Sequence, residues 1–233
     1  MLKNNKIAVT SRSFSNHSLL REELLKRFDI VTFNEKGVKL SGDSLVQFLS
    51  GHDKAIIALE KIDESILNQL PQLKVISKYG VGLDMINLEA LRKHKVKLGW
   101  QGGVNKRSVS ELVIAFAIVL LHKVNVANKE VIRGVWKQQK GNLFSGKTVG
   151  IIGCGHIGKD VAVLCKTFGC NLIANDILDF PEFYYKYNIQ PVSLEFLLKN
   201  ADIVTIHTPL DESTKNILSS EKLALLKPTS ILI

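Results

Sequence analysis

Residues 148–176 constrain this chain more than any other stretch. Apolar Thr148-Val-Gly-Ile-Ile152 reads as a buried strand and runs directly into Gly153-Cys-Gly155-His-Ile-Gly158. A helical pattern over 157–168 follows, then a second strand over 171–175 that ends on Asp176. A G-x-G-x-x-G string alone is weak, because glycine-rich turns are common. Set between a strand and a helix, with an acid roughly 20 residues further on, it is the pattern of a dinucleotide fold. Each residue type has a reason. Gly153 permits the tight turn, Gly155 lets a pyrophosphate approach the backbone, and Gly158 lets the helix pack on the strand. The helix N-terminus, with His156 and Ile157 in its first turn, then faces the phosphates. Asp176 accepts from ribose hydroxyls, and no arginine in 177–180 stands ready for a 2′-phosphate, so NAD is favoured over NADP. The competing reading, a structural turn beside an incidental surface aspartate, has to produce four coincident features by chance.

The rest of the chain alternates in the same way. Strands are expected over 6–11, 30–33, 55–59, 75–77 and 96–98, with helical spacing of apolar residues over 19–28, 45–49 and 62–70. Beyond the glycine turn, a strand near 190–192, a helix over 194–199, a strand over 203–207, a helix over 221–226 and a strand over 230–233 continue the pattern. Repeated strand and helix units predict α/β architecture with parallel sheets covered on both faces. Between the two alternating regions a long helix is expected from Asn105 to about Val126, with Ser108 as N-cap and Glu111 completing a capping box. Its centre, Leu112-Val-Ile-Ala-Phe-Ala-Ile-Val-Leu-Leu121, is apolar on every face, which predicts burial between two domains.

Composition closes off several function classes. Hydrophobic residues make up 45% of 233, enough for a substantial core. The longest uncharged apolar run, 112–121, is far short of the ~20 residues that span a bilayer. The start, Met1-Leu-Lys-Asn-Asn-Lys, has no apolar signal core, and a cytoplasmic protein is expected. Cys154, Cys165 and Cys170 fit neither a Cys-x-x-Cys nor a zinc spacing, so they are expected to be reduced packing thiols, and no metal is expected. The net charge of +9 is spread among interspersed acids with no basic run, which favours a solvated basic surface over a nucleic-acid-binding arm.

Two further segments lie where α/β sheets place ligands. His207-Thr208-Pro209 follows a buried strand. His207 as a general acid or base would need an acidic partner that the sequence does not identify, so a cofactor contact or strand cap is preferred. Lys78-Tyr-Gly80-Val81-Gly82 also follows a strand; an anion cradle of backbone amides and an ordinary strand-to-helix turn are equally compatible with it.

Taken together, Tyr79-Gly-Val-Gly-Leu-Asp84, Asn105 with Val109-Ser-Glu111, Arg133-Gly-Val-Trp136, residues 146–158, Ala201-Asp-Ile-Val204, His207-Thr-Pro-Leu210, Ser213-Thr-Lys-Asn216 and Leu226-Lys-Pro228 resemble the D-isomer-specific 2-hydroxyacid dehydrogenases, in their phosphoglycerate dehydrogenase-like form. The resemblance spans nearly the whole chain; Ser110 stands where the family usually has alanine. It implies a flavodoxin-like substrate domain over 1–101, an NAD-binding Rossmann domain over 102–233, and a cleft between them. It implies that Gly80, Val81 and Gly82 hold a substrate carboxylate, and that Val81, Gly153, Gly155, His156, Ile157, Gly158, Asp176, His207, Thr208 and Pro209 lie on NAD. The substrate would be a small anionic 2-hydroxy or 2-keto acid, handled by a homodimer with no nucleic-acid or membrane partner. In the family an Asn-x-x-Arg-Gly motif follows the strand matching 230–233, and a glutamate and histidine further on form the acid/base pair. The chain stops at Ile233 on an apolar, strand-like Ser-Ile-Leu-Ile, so the expectation is a C-terminally truncated member with an incomplete Rossmann domain and no catalytic residue of its own. The alternative function is a non-catalytic, NAD-responsive binding module like the corepressors that resemble this family.

Overall fold

A computed structural model describes residues 6–233; the polar start over residues 1–5 lies outside them. The chain divides between Val104 and Asn105 into two compact units, against the 101/102 boundary expected. The first unit carries β1 (Lys6–Val9), α1 (Arg12–Ser15), α2 (Ser18–Leu25), β2 (Ile30–Phe33), α3 (Gly42–Leu49), β3 (Lys54–Ile57), α4 (Glu64–Asn68), β4 (Val75–Lys78), α5 (Leu88–Lys93) and β5 (Lys97–Gly99). Its five strands are all parallel in the order β2-β1-β3-β4-β5, the flavodoxin-like arrangement. Alternation along the strands splits the core between two faces. Ala8, Ala55, Ile57 and Ile76 pack with Leu45, Leu49, Leu67 and Leu91, while Ile7, Val9 and Ile56 pack with Phe14 and Leu24. Two short helices, α1 and α5, were not expected. The signal for α5 is local: Asn87 caps it by accepting the Ala90 amide at 3.0 Å, and Arg92 and Lys93 sit in its last turn.

The second unit carries α6 (Lys106–Leu121), α7 (Val124–Ile132), β6 (Thr148–Ile152), α8 (His156–Thr167), β7 (Asn171–Asn175), α9 (Pro181–Tyr187), β8 (Ile189–Pro191), α10 (Leu194–Asn200), β9 (Ile203–Ile206), α11 (Ser220–Leu223) and β10 (Ile231–Leu232). Its parallel sheet runs β10-β9-β6-β7-β8. The winding order therefore reverses between β6 and β9, the place where parallel sheets of this kind leave a crevice at the carboxyl ends of their strands. The close seat of α10 is set by Gly150: a Cβ there would lie 2.5 Å from Leu197 Cδ2 and 2.9 Å from Ala201 Cβ.

The long helix departs from expectation in three ways. Asn105, not Ser108, is the N-cap, and Ser108 lies in the first turn. The helix stops at Leu121, because Lys123 adopts a left-handed backbone (φ 54°), and α7 restarts at a 63° bend. It is also not buried all round. Val113, Ile114, Ala117 and Leu121 form one buried stripe, whereas Leu112, Phe116 and Leu120 remain 52%, 46% and 41% exposed. A helix laid on a single surface buries a single stripe, whatever the composition of its other face. Among the described residues no single helix is long and apolar enough to cross a membrane. All three cysteines are buried and unbridged.

Candidate dinucleotide site

At the carboxyl end of β6 the backbone turns through Gly153 (φ 88°), whose amide donates to the Asn175 carbonyl at 2.8 Å. A Cβ on Gly153 would lie 2.8 Å from the His207 carbonyl and 2.9 Å from the Thr208 nitrogen, so the turn is gripped between the ends of β7 and β9. Gly158, one turn into α8, would drive a Cβ against the Gly153 carbonyl oxygen and to 3.0 Å from Ile151 Cγ2. Gly155 behaves differently. It is the N-cap of α8, is exposed, and has nothing within 4 Å of where its Cβ would be. Exposed His156 and half-buried Ile157 follow it, and the first-turn amides of a helix have no intrahelical acceptor. An open side at Gly155 beside free helix amides is the cradle a pyrophosphate requires.

Asp176, immediately after β7, closes the other side. Its Oδ2 accepts the Cys154 amide at 2.5 Å and its Oδ1 accepts the Leu178 amide at 2.8 Å. A cavity of about 210 Å³ opens beside it, lined by Asp176, Leu178, Asp179, Tyr184, Pro191 and Val192 among others. Its polar character comes from two carboxylates, with no lysine or arginine in the lining, so a 2′-phosphate would meet like charge. Tyr184, Pro191 and Val192 were not anticipated. They arrive through the pairing of Ala174 with Pro191 and the packing of α9, which no local pattern announces. Burial pushes the neighbouring Cys154 thiol up to about 11, leaving it neutral.

His207 donates its amide to the Ile152 carbonyl at 2.7 Å, and its Nε2 lies 2.8 Å from Thr205 Oγ1. Burial holds the imidazole down to about 4 from its ordinary 6.5. No carboxylate hydrogen-bonds or pairs with it among the described residues. The unfolded chain takes up a proton at His207 near pH 6.5 and the folded chain only near pH 4. Stability is therefore lost as the pH falls through that window, and the loss stops below it. His207→Gln is expected to flatten this acid-side decline in urea unfolding across a pH series; an unchanged slope would remove the buried neutral imidazole from the account. Half-buried Thr208 and exposed Pro209 continue the rim, where Pro209 O accepts Thr214 Oγ1 at 2.5 Å.

Gly153, Gly155, His156, Ile157, Gly158, Asp176, His207, Thr208 and Pro209 thus lie at the carboxyl ends of β6, β7 and β9 and the start of α8 in the second unit. Gly80, Val81 and Gly82 belong to the first unit, at the carboxyl end of β4. Gly80 has φ 128°, and the Val81 carbonyl accepts the Trp100 indole at 3.0 Å. The Tyr79 amide donates to Ile57 O at 2.7 Å, whereas the amides of Gly80, Val81 and Gly82 donate to no group among the described residues. Three successive unpaired amides on an exposed loop are donors available to an anion. The Asp84 carboxylate stands close by, 2.9 Å from a Cβ built on Gly82. No cluster of three or more metal-ligating side chains occurs among the described residues.

Comparison with known proteins agrees with this geometry. Residues 114–233 match the family model described as D-isomer specific 2-hydroxyacid dehydrogenase, NAD binding domain. The chain is 31% identical over 186 residues to a glyoxylate reductase of Thermococcus litoralis, covering 76% of this chain and 56% of that protein. It is 29% identical over 218 residues to a D-3-phosphoglycerate dehydrogenase of Methanocaldococcus jannaschii, covering 92% and 42%. The solved structure of a pyruvate reductase of Chlamydomonas reinhardtii superposes with a TM-score of 0.80 at 26% identity, over 98% of this chain and 68% of that one. The chain spans about half the length of the curated relatives it matches.

Proposed function

This chain belongs to the D-isomer-specific 2-hydroxyacid dehydrogenase family, whose cofactor is NAD, and from that premise we propose that it binds NAD(H) in the crevice between β6 and β9 and serves the interconversion of a small 2-hydroxy acid and its 2-keto acid. The observation that carries the reading is the open side of Gly155 with Asp176 behind it. The α8 amides and Gly155 would hold the pyrophosphate, Asp176 the adenosine ribose, the cavity lined by Leu178, Tyr184, Pro191 and Val192 the adenine, and Thr208 and Pro209 the path toward the nicotinamide. Bound NAD supplies a hydride acceptor. Gly80, Val81 and Gly82 would anchor the substrate carboxylate through their unpaired amides, which gains support from glyoxylate reductase and phosphoglycerate dehydrogenase relatives whose named substrates are acids.

No described residue is assigned the proton transfer. His207, kept neutral and tied to Thr205, is read as a cofactor contact. Calorimetric titration is expected to give NADH binding with NADPH at least about tenfold weaker, a difference of ~1.4 kcal/mol. A folded sample without NADH affinity would overturn the reading. So would rapid reduction of a 2-keto acid by this chain alone, as regards the absence of an assigned proton donor.

A homodimer is also proposed. Leu112, Phe116 and Leu120 of α6, with Val124, Ile132 and the 93% exposed Trp136, leave large apolar side chains in water on α6, α7 and the segment after them, and burial against a second copy would cover them. Light scattering is expected to report a dimer that Leu112→Lys with Phe116→Lys converts to monomer; a monomeric parent chain would end the proposal.

A further inference from the structure

The first unit has its own reversal point. In the order β2-β1-β3-β4-β5 the connections diverge between β1 and β3, and parallel sheets of this order hold ligands outside the carboxyl ends of those two strands. A cavity of about 620 Å³ lies at that place, walled by the segments that follow β1, β2 and β3. Its lining joins Arg12, Ser13 and Asn16 after β1 to Lys39 after β2 and to Leu59 and Glu60 after β3.

The charges in this lining favour an acid. Among the described residues neither Arg12 nor Lys39 forms an ion pair or a side-chain hydrogen bond. Glu60 is the one opposing charge, and its Oε2 is committed to the Ala58 amide at 2.7 Å. Two free cations, one tethered carboxylate and the polar Ser13 and Asn16 side chains form a lining with one net positive charge.

The segments around the cavity also touch the loop that carries the unpaired amides. Lys78 donates its Nζ to the carbonyl of Ala58 in the cavity wall. The next residue, Tyr79, sets its ring edge-on to Phe14 of α1 with centroids 5.3 Å apart. The segments after β1, β3 and β4 are therefore in contact next to the Arg12 cavity, and Gly80–Gly82 follow directly on the last of them.

We propose that this cavity receives the end of the substrate remote from the 2-hydroxy acid group, and that Arg12 and Lys39 select hydroxy acids carrying a second acidic group. The proposal rests on the reading of Gly80–Gly82 as the carboxylate anchor. It assigns specificity to residues outside the motifs that carry the family resemblance, on loops after β1 and β2.

The test is calorimetry on the full chain with NADH present, so that no hydride acceptor is available and binding alone is read. D-Glycerate carries one acid, D-malate two carboxylates, and 3-phospho-D-glycerate a carboxylate and a phosphate. At least one two-acid ligand is expected to bind about tenfold or more tightly than D-glycerate, as for a charge-assisted contact, and the stronger of the two identifies the second group. Arg12→Ala with Lys39→Ala is expected to bring that ratio to about one without changing the melting temperature. Equal affinities in the parent chain, a ratio that survives the double substitution, or binding of inorganic phosphate alone would each overturn the proposal. Failure of the underlying reading looks different: D-glycerate binding would then be indifferent to Gly82→Val, whereas failure of the cavity alone leaves that binding sensitive to Gly82→Val.

Discussion

Gly155→Val is expected to leave the fold intact and to weaken NADH binding by about a hundredfold, some 2.7 kcal/mol. The position is exposed and nothing lies within 4 Å of the added Cβ, so the branch point meets no protein atom. It projects instead into the space from which a pyrophosphate would approach the α8 amides, and it blocks several charge-assisted hydrogen bonds at once. Thermal melting beside a fluorescence titration separates the two effects. Unaltered NADH affinity would move the pyrophosphate elsewhere.

Gly158→Ala should do the opposite, acting on stability first. The added methyl has no room, because the Gly153 carbonyl oxygen and Ile151 Cγ2 already occupy its position. Either α8 lifts from β6 or the Gly153 turn deforms, and overpacking of this kind costs about 3 kcal/mol. The chemical-denaturation midpoint should fall and NADH affinity with it, since the turn is also the cradle. A variant as stable as its parent would show that α8 is not seated as closely as described. Lost NADH affinity from both glycines, with stability lost from only one of them, is hard to reconcile with a purely structural turn.

The parallel α/β architecture and the dinucleotide crevice were legible in the sequence because both depend on local signals. Strands β2, β6 and β7 fall where their β-branched and apolar runs place them, and the glycine turn with Asp176 keeps its strand and helix context. What local pattern misjudged was the exposure of α6. Composition tells that a surface is apolar, not what covers it, and Leu112, Phe116 and Leu120 look the same in sequence as the buried Val113 and Ala117. The break at Lys123 was equally hidden, since lysine is a good helix former and only its left-handed backbone stops the helix. Tyr184, Pro191 and Val192 reach the cavity beside Asp176 through strand pairing and helix packing, which sequence proximity does not encode. The Gly80–Gly82 segment is intermediate. Its glycines were visible, but the lack of partners for its amides was not, because that depends on what surrounds the loop.

The carboxylate of Asp176 holds the Cys154 amide inside the glycine turn. On the reading proposed above, one side chain would thus both brace the turn and face the ribose. A lineage of this chain drifting toward a phosphorylated coenzyme could not shed the acid in one step, because the same change would slacken the loop that must grip the pyrophosphate. A second donor-accepting group would have to arrive first. On that reading coenzyme preference would be held in place by the mechanics of the turn as much as by repulsion, which would make it slow to evolve and a poor target for single-residue engineering.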